Sequence, residues 1–291
     1  MTVTVNAPAK VNLTLNIDGV REDGYHLLSS VFQTVSLSDV VTITRTEESG
    51  IRLLMSDPLL PCDARNTAYR AAVLFFDYID KTPCVDIYVE KRIPQQAGLG
   101  GGSADAAGVL VGLNALFDAH LSMETLCAIG EKVGADVPFC IVGGTALVTG
   151  IGERIEPLPY LEGCPMVIAK PSVGVSTKEA YAAVDAVQTT STDNDAMCRS
   201  IAASDIEAVG ALLDNAFEQA LAIPEVRELL DLMSRHSPYG CTMSGSGSAV
   251  FGLFRTDEQA DLCAEALRQH GIAEVFRCAP ISCGATVIKR S

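Results

Sequence analysis

The chain has 291 residues, 48% of them hydrophobic, a length that exceeds most single cores and points to two domains. Its 36 acidic side chains outnumber 21 basic ones for a formal net charge of −15, which argues against nucleic-acid or anionic-membrane partners and leaves small anionic molecules held by local N–H groups and a few lysines. No apolar run approaches the ~20 residues that cross a bilayer, and Met1 leads into the strand-like Thr2-Val3-Thr4-Val5 instead of a signal peptide, so the expectation is a cytoplasmic protein.

Alternation predicts a first strand over Thr2–Ile17, with Val11, Leu13, Leu15 and Ile17 on one face and Lys10, Asn12, Thr14 and Asn16 on the other. Periodicity alone lets that second face be solvated or turned to a ligand. Strands are also expected over Val40–Thr46, Ile51–Met55 and Val85–Ile93, and helices over Asn66–Ile79, Ser103–Phe117 and Met123–Val133. Phe139–Val148 reads as a strand, which would set Asp136 between a helix ending near Gly134 and an extended Val137 ahead of Pro138.

Pro157-Leu158-Pro159 marks a boundary, giving domains over 1–159 and 160–291. The second half opens with a strand over Pro165–Pro171 and a capping-box pattern at Ser176-Thr177-Lys178-Glu179, echoed at Ser204-Asp205-Ile206-Glu207, with a polar loop over Gln188–Asp195 between them. A helix starting at Pro224 runs through Met233, and a strand over Val250–Phe254 follows. Asp257–Gln269 reads as a helix closed by Gly271, and Glu274–Arg277 and Thr286–Lys289 as edge strands. This β-then-α order predicts an α+β protein whose second half is a ferredoxin-like sheet layered with helices. The ten cysteines form no C-x-x-C pair, and Cys278 and Cys283 lack a histidine or second pair nearby, so reduced core thiols are expected and no metal centre.

The most telling stretch is Pro94-Gln95-Gln96-Ala97-Gly98-Leu99-Gly100-Gly101-Gly102-Ser103, running into an Ala-rich helix. Glycines let backbone press against a ligand, and the helix N-terminus supplies unpaired N–H groups, a combination suited to phosphate. No Gly-Lys dipeptide occurs, so this is not the common nucleotide loop, and Ser103 stands where a dinucleotide fingerprint needs its third glycine.

Pro94 with Gly98-Leu99-Gly100-Gly101-Gly102-Ser103 resembles the phosphate loop of the galactokinase, homoserine kinase, mevalonate kinase and phosphomevalonate kinase superfamily. Ala7-Pro8-Ala9-Lys10-Val11-Asn12-Leu13 and Gly240-Cys241-Thr242-Met243-Ser244-Gly245-Ser246-Gly247-Ser248-Ala249 resemble its other two motifs, in the expected order. Gly24-Tyr25-His26 and Gly134-Ala135-Asp136-Val137-Pro138 are similar to the branch that phosphorylates 4-(cytidine 5′-diphospho)-2-C-methyl-D-erythritol on its 2-hydroxyl in the non-mevalonate route to isoprenoid precursors. The alternatives are a sister kinase for homoserine, mevalonate or a sugar, and a non-catalytic nucleotide sensor.

The resemblance implies an N-terminal domain like the second domain of ribosomal protein S5, a ferredoxin-like C-terminal domain and a site in the cleft between them. It implies ATP with Mg²⁺ as cofactors, Asp136 taking or orienting the acceptor hydroxyl proton, and Lys10 steadying both Asp136 and the transferring phosphoryl group. Gly98, Leu99, Gly100, Gly101, Gly102 and Ser103 would bind the nucleotide, with Asn66 and Lys91 on its flank and Ser103 as the one candidate magnesium ligand. Asn12, Tyr25, His26, Thr177 and Tyr181 would bind the acceptor, the aromatic rings stacking on its base. Ala104 replaces a second serine common in related loops, and Asp105 is expected to point away from phosphate. The resemblance fixes no oligomeric state.

Overall fold

The computed structural model describes residues 1–291. It opens with an antiparallel hairpin of two long strands, β1 (Thr2–Val20) and β2 (His26–Arg45), followed by β3 (Gly50–Met55), α1 (Thr67–Tyr78), β4 (Cys84–Glu90), α2 (Gly101–Leu116) and α3 (Met123–Glu131). A short helix α4 (Val137–Val142) then precedes β5 (Thr145–Gly150) and β6 (Arg154–Leu158). The rest of the chain adds β7 (Met166–Lys170), α5 (Thr177–Ala186), α6 (Asn194–Ala202), α7 (Ile206–Ala211), β8 (Asp214–Asn215), α8 (Ala216–Leu221) and α9 (Pro224–Ser234). It ends with β9 (Gly240–Met243), β10 (Val250–Leu253), α10 (Asp257–Gln269), β11 (Glu274–Cys278) and β12 (Thr286–Arg290).

Two sheets result. The larger runs β12-β1-β2-β4-β3, with β5 and β6 continuing from the first half of β2 and β8 touching β1; the smaller runs β11-β7-β10-β9. Mixed sheets with helices laid on them make this an α+β fold, as expected. α2 lies against β1 and β2 and is buried on nearly every side, which is why its sequence is apolar all round and not striped.

β2 is far longer than the expected Val40–Thr46. Its pairing with β1 shifts register at Pro8/Lys10, Asn12/Thr14 and Ile17/Gly19, and it changes neighbour from β5 to β4 along its length. Ser30, Val31, Phe32, Gln33, Thr34 and Val35 are all buried, so this part of β2 has no exposed face and shows no alternation that would announce a strand.

Phe139–Val148 is not one strand. Val137–Val142 is helical with Pro138 in its first turn, where proline's missing N–H costs nothing, and the strand begins only at Thr145 after Gly143 and Gly144. A wholly buried apolar run carries no period that separates helix from strand. The polar loop expected through Asp195 stops at Asp193, which caps α6 by accepting the Ala196 N–H. All ten cysteines are free thiols, but Cys62 and Cys283 are exposed and so are not core residues.

Candidate active site

The glycine-rich loop enters α2 through left-handed backbone at Gly98 (φ +71°) and Gly100 (φ +69°), the latter the N-cap. A Cβ on Gly98 would lie 1.9 Å from the Ser244 carbonyl oxygen, so the third motif presses directly on the loop. Ser248 and Ala249 donate backbone N–H groups to the carbonyls of Gln96 (3.3 Å) and Ala97 (3.2 Å). Ser244 Oγ donates to the Gly98 carbonyl (3.0 Å) while accepting the Asn12 N–H (3.4 Å), and Lys10 N–H donates to the Leu99 carbonyl (3.1 Å). All three sequence motifs therefore meet at one place.

That place is a cleft of about 750 Å³, lined on one side by Gly98–Ser103 and on the other by Thr177, Tyr181 and Phe217, with Lys10, Asn12 and Asp136 between. By helix geometry the first N–H groups of α2 have no partner within the helix, and these face the loop with the positive dipole end. Ser103 stands in this first turn; because Gly100 is the cap, the Ser103 hydroxyl is not needed for capping.

Lys10 is buried, not solvated as a bare strand face would be. Its ammonium donates to Asn12 Oδ1 (2.7 Å), lies 3.5 Å from Asp136 Oδ2 and sits 4.7 Å above the centre of the Phe32 ring. Asn12 passes the order on by donating to Ser30 Oγ (2.9 Å). Asp136 occupies the N-cap of α4, yet in helical backbone (φ −79°, ψ −12°) and with no capping bond from its side chain. The extended geometry expected ahead of Pro138 is thus absent, and the carboxylate, freed from capping, faces Lys10 at the half-open floor of the cleft.

Asn66 lines the cleft while capping α1: its Oδ1 accepts the Ala68 N–H (2.9 Å) and its Nδ2 donates to the Pro61 carbonyl (2.7 Å). Lys91, expected as a nucleotide contact, lines the cleft with its ammonium paired to both Asp39 and Asp105. Asp105 accepts from that ammonium through Oδ2 (2.7 Å).

Across the cleft, α5 starts with the expected capping box between Ser176 and Glu179. Thr177 meets Ser246 through their hydroxyls (3.3 Å), and Tyr181 packs edge-on against Phe217 and stacks on His26 with ring centres 4.4 Å apart. Burial, then the charge of Asp136, pushes the Tyr181 hydroxyl above its ordinary range, which puts this ring within electrostatic reach of the Lys10–Asp136 pair. Tyr25 is not brought into the cleft: it stands 60% exposed at the tip of the β1–β2 hairpin.

Sequence reasoning missed Asp185, whose Oδ1 lies 2.7 Å from His26 Nε2. The signal was present, since Thr177, Tyr181 and Asp185 recur every four residues on one face of α5. Asp39 was missed because it lies in the unrecognised part of β2.

The profile of the GHMP kinases N terminal domain matches residues 66–144 and that of the GHMP kinases C terminal region matches 197–273. A 4-diphosphocytidyl-2-C-methyl-D-erythritol kinase of Carboxydothermus hydrogenoformans is 42% identical over 287 residues, 97% of this chain and 98% of that protein. The chain belongs to the GHMP kinase family. The namesake kinase of Exiguobacterium sibiricum is 41% identical over 92% of this chain and 94% of its own length. Among GHMP kinases of solved structure, a 4-(cytidine 5′-diphospho)-2C-methyl-D-erythritol kinase superposes with a TM-score of 0.82 at 36% identity, covering 98% of this chain and all of that one. A homoserine kinase from Cytophaga hutchinsonii, at 21% identity and a TM-score of 0.79, shares the fold. The GHMP kinase assignment makes this chain an ATP-dependent small-molecule kinase, and no helix in it is long and apolar enough to cross a membrane.

Proposed function

We propose that the chain transfers the γ-phosphoryl group of ATP to the 2-hydroxyl of 4-(cytidine 5′-diphospho)-2-C-methyl-D-erythritol. The observation that carries this reading is the Lys10–Asp136 pair, 3.5 Å apart, standing between a phosphate-type loop and an aromatic wall in one cleft. Phosphoryl transfer asks a protein for alignment and charge neutralisation more than for covalent work. Asp136 orients the acceptor hydroxyl and takes its proton as the new O–P bond forms; the bond to the β-phosphate oxygen breaks and ADP leaves with that oxygen's charge. Lys10 attracts the equatorial oxygens of the moving group while holding the carboxylate in place. Loop and α2 N–H groups hold the β- and γ-phosphates.

No three His, Cys, Asp or Glu side chains converge to cage a metal. A magnesium ion carried on the phosphate oxygens with water and the Ser103 hydroxyl fits this donor set, because Mg²⁺ keeps several waters and needs few protein ligands. When bound, it neutralises charge on the β- and γ-phosphates.

The base of the acceptor would lie against Tyr181, with Tyr25 closing from the hairpin tip and His26 reading a polar edge. Asp185 can only accept from His26, so Nε2 carries a proton and Nδ1 is the nitrogen left for the ligand. Asp185→Ala should raise KM for the acceptor about fivefold, the worth of roughly one hydrogen bond, with kcat little changed; steady-state ADP release at saturating ATP measures it. An unchanged KM would remove His26 orientation from the account. The function itself is tested by mixing purified protein with Mg-ATP and a panel of alcohols, including homoserine, mevalonate and the uridine analogue of the cytidylylated erythritol. Strong ADP release is expected with the cytidine compound alone, and equal rates with homoserine or mevalonate would sink the proposal.

A further inference from the structure

Lys10, Asn12, Ser30 and Thr14 form one chain of hydrogen bonds whose direction can be read from end to end. At the far end is the Thr14 backbone carbonyl, which can only accept, so the Ser30 hydroxyl hydrogen points at it. The Ser30 oxygen is left with lone pairs, and it takes a hydrogen from Asn12 Nδ2 (2.9 Å). At the near end the Lys10 ammonium can only donate, which makes Asn12 Oδ1 its acceptor at 2.7 Å. Both ends demand the same orientation of the Asn12 amide. A flipped amide would set N–H groups against an ammonium and an oxygen against the lone pairs of Ser30.

Water is shut out of this chain: Ser30 and Thr14 are wholly buried, and Asn12 and Lys10 nearly so. In such surroundings each bond is stronger than in water and an unmade one is costly. The chain is also anchored. The register of β1 against β2 slips between Asn12, opposite Phe32, and Thr14, opposite Val31, and there Thr14 Oγ1 accepts the Val31 N–H (3.0 Å) and donates to Asn194 Oδ1 (2.6 Å). Bulges beside active sites re-aim side chains in this way. Joining the two strands requires only the bond from Ser30 to Thr14, whereas the bond from Asn12 to Ser30 sets the aim of the amide.

That aim bears on the reacting pair. Lys10 Nζ stands 3.5 Å from Asp136 Oδ2, longer than the about 2.7–2.9 Å of a close ammonium–carboxylate bond. An ammonium released from Asn12 would settle onto the carboxylate and occupy the lone pair that an acceptor hydroxyl needs. We infer that Ser30 is a positioning residue for phosphoryl transfer: by locking the Asn12 amide it holds the Lys10 ammonium off full contact with Asp136, leaving the carboxylate free for the alcohol and an ammonium hydrogen free for the moving phosphoryl group. The inference rests on the proposed roles of Lys10 and Asp136.

Ser30→Ala should lower kcat about tenfold, the worth of about one hydrogen bond to a charged group. The rate is counted per nucleotide site, titrated by calorimetry with a non-hydrolysable ATP analogue, and both KM for ATP and analogue affinity should stay within about twofold. Ser30→Thr keeps the hydroxyl and should bring kcat back to within about threefold of wild type. Ser30→Ala combined with Asn12→Ala should turn over no more slowly than Asn12→Ala alone, because Ser30 acts through that amide. A role confined to joining β1 and β2 would lower the thermal stability of Ser30→Ala and leave kcat per site unchanged, and this result overturns the inference. So do losses that multiply in the double variant, or a Ser30→Thr variant as slow as Ser30→Ala. Turnover retained by Asp136→Asn would strike instead at the reading of the reacting pair. Should Ser30→Ala fail to fold, side-chain ¹⁵N relaxation of wild type decides: an Asn12 amide as rigid as the backbone is expected, and one that reorients freely refutes the inference.

Discussion

Asp136→Asn is expected to lower kcat about a thousandfold, within the range that a positioned acid or base contributes, while nucleotide affinity stays within about threefold. The asparagine keeps the size of the side chain and its reach toward Lys10, 3.5 Å away, but it accepts no proton and does not offset the ammonium. Folding should be spared, because the carboxylate makes no capping bond to α4 and the backbone there is ordinary helix. The nucleotide loop is fixed by other bonds, from Ser244, Ser248, Ala249 and Lys10, none of which involves Asp136. Coupled measurement of ADP release and calorimetric binding of the analogue separate the two effects. Turnover within tenfold of wild type would mean that Asp136 neither aligns nor deprotonates the acceptor.

The second large effect is expected at Gly98. Gly98→Ala places a methyl 1.9 Å from the Ser244 carbonyl oxygen, in backbone at φ +71° that alanine adopts with strain. Both obstacles are main chain, so neither can rotate away. Overpacking and left-handed strain each cost about 1–3 kcal/mol, so about 2–6 kcal/mol of stability should be lost. Nucleotide affinity should fall about a hundredfold, because misplacing a cradle by about 1 Å costs on that order. Gly271→Ala is the control: its φ is +91° but nothing lies within 4 Å of the new methyl, so strain acts there alone. Thermal unfolding and analogue binding on both variants check this, and equal losses at the two glycines would show that the contact with Ser244 is unimportant.

How much of this was legible beforehand differs from residue to residue. Gly98 through Ser103 drew a phosphate-cradle expectation because a glycine run opening a helix offers free N–H groups, and these residues line the cleft. Lys10 and Asn12 were rightly set on one side of β1, since they meet at 2.7 Å. Their burial was hidden, because it depends on the loop and the third motif packing over that strand, and Ser244, which bonds Asn12, lies 232 positions along the chain. The backbone after Asp136 was misjudged: Val137 was expected to be extended and Phe139–Val148 a strand, but Val137–Val142 is a helix packed against α2. The Asp39–Lys91–Asp105 cluster was out of reach in kind, since its three members come from separate segments and none has a spacing that betrays the others.

The stitching of the third motif to the phosphate loop divides labour across the cleft. With Ser244 tied at once to Asn12 and Gly98, and two further main-chain bonds beside it, the loop end of the cleft is an anvil that cannot gape without breaking four hydrogen bonds together. The opposite rim is where the exposed hairpin tip bearing Tyr25 meets α5, through His26, which contacts Asp185 and stacks on Tyr181. On the proposed reading, choosing the alcohol is thereby left to the rim and the phosphoryl chemistry to the stitched loop.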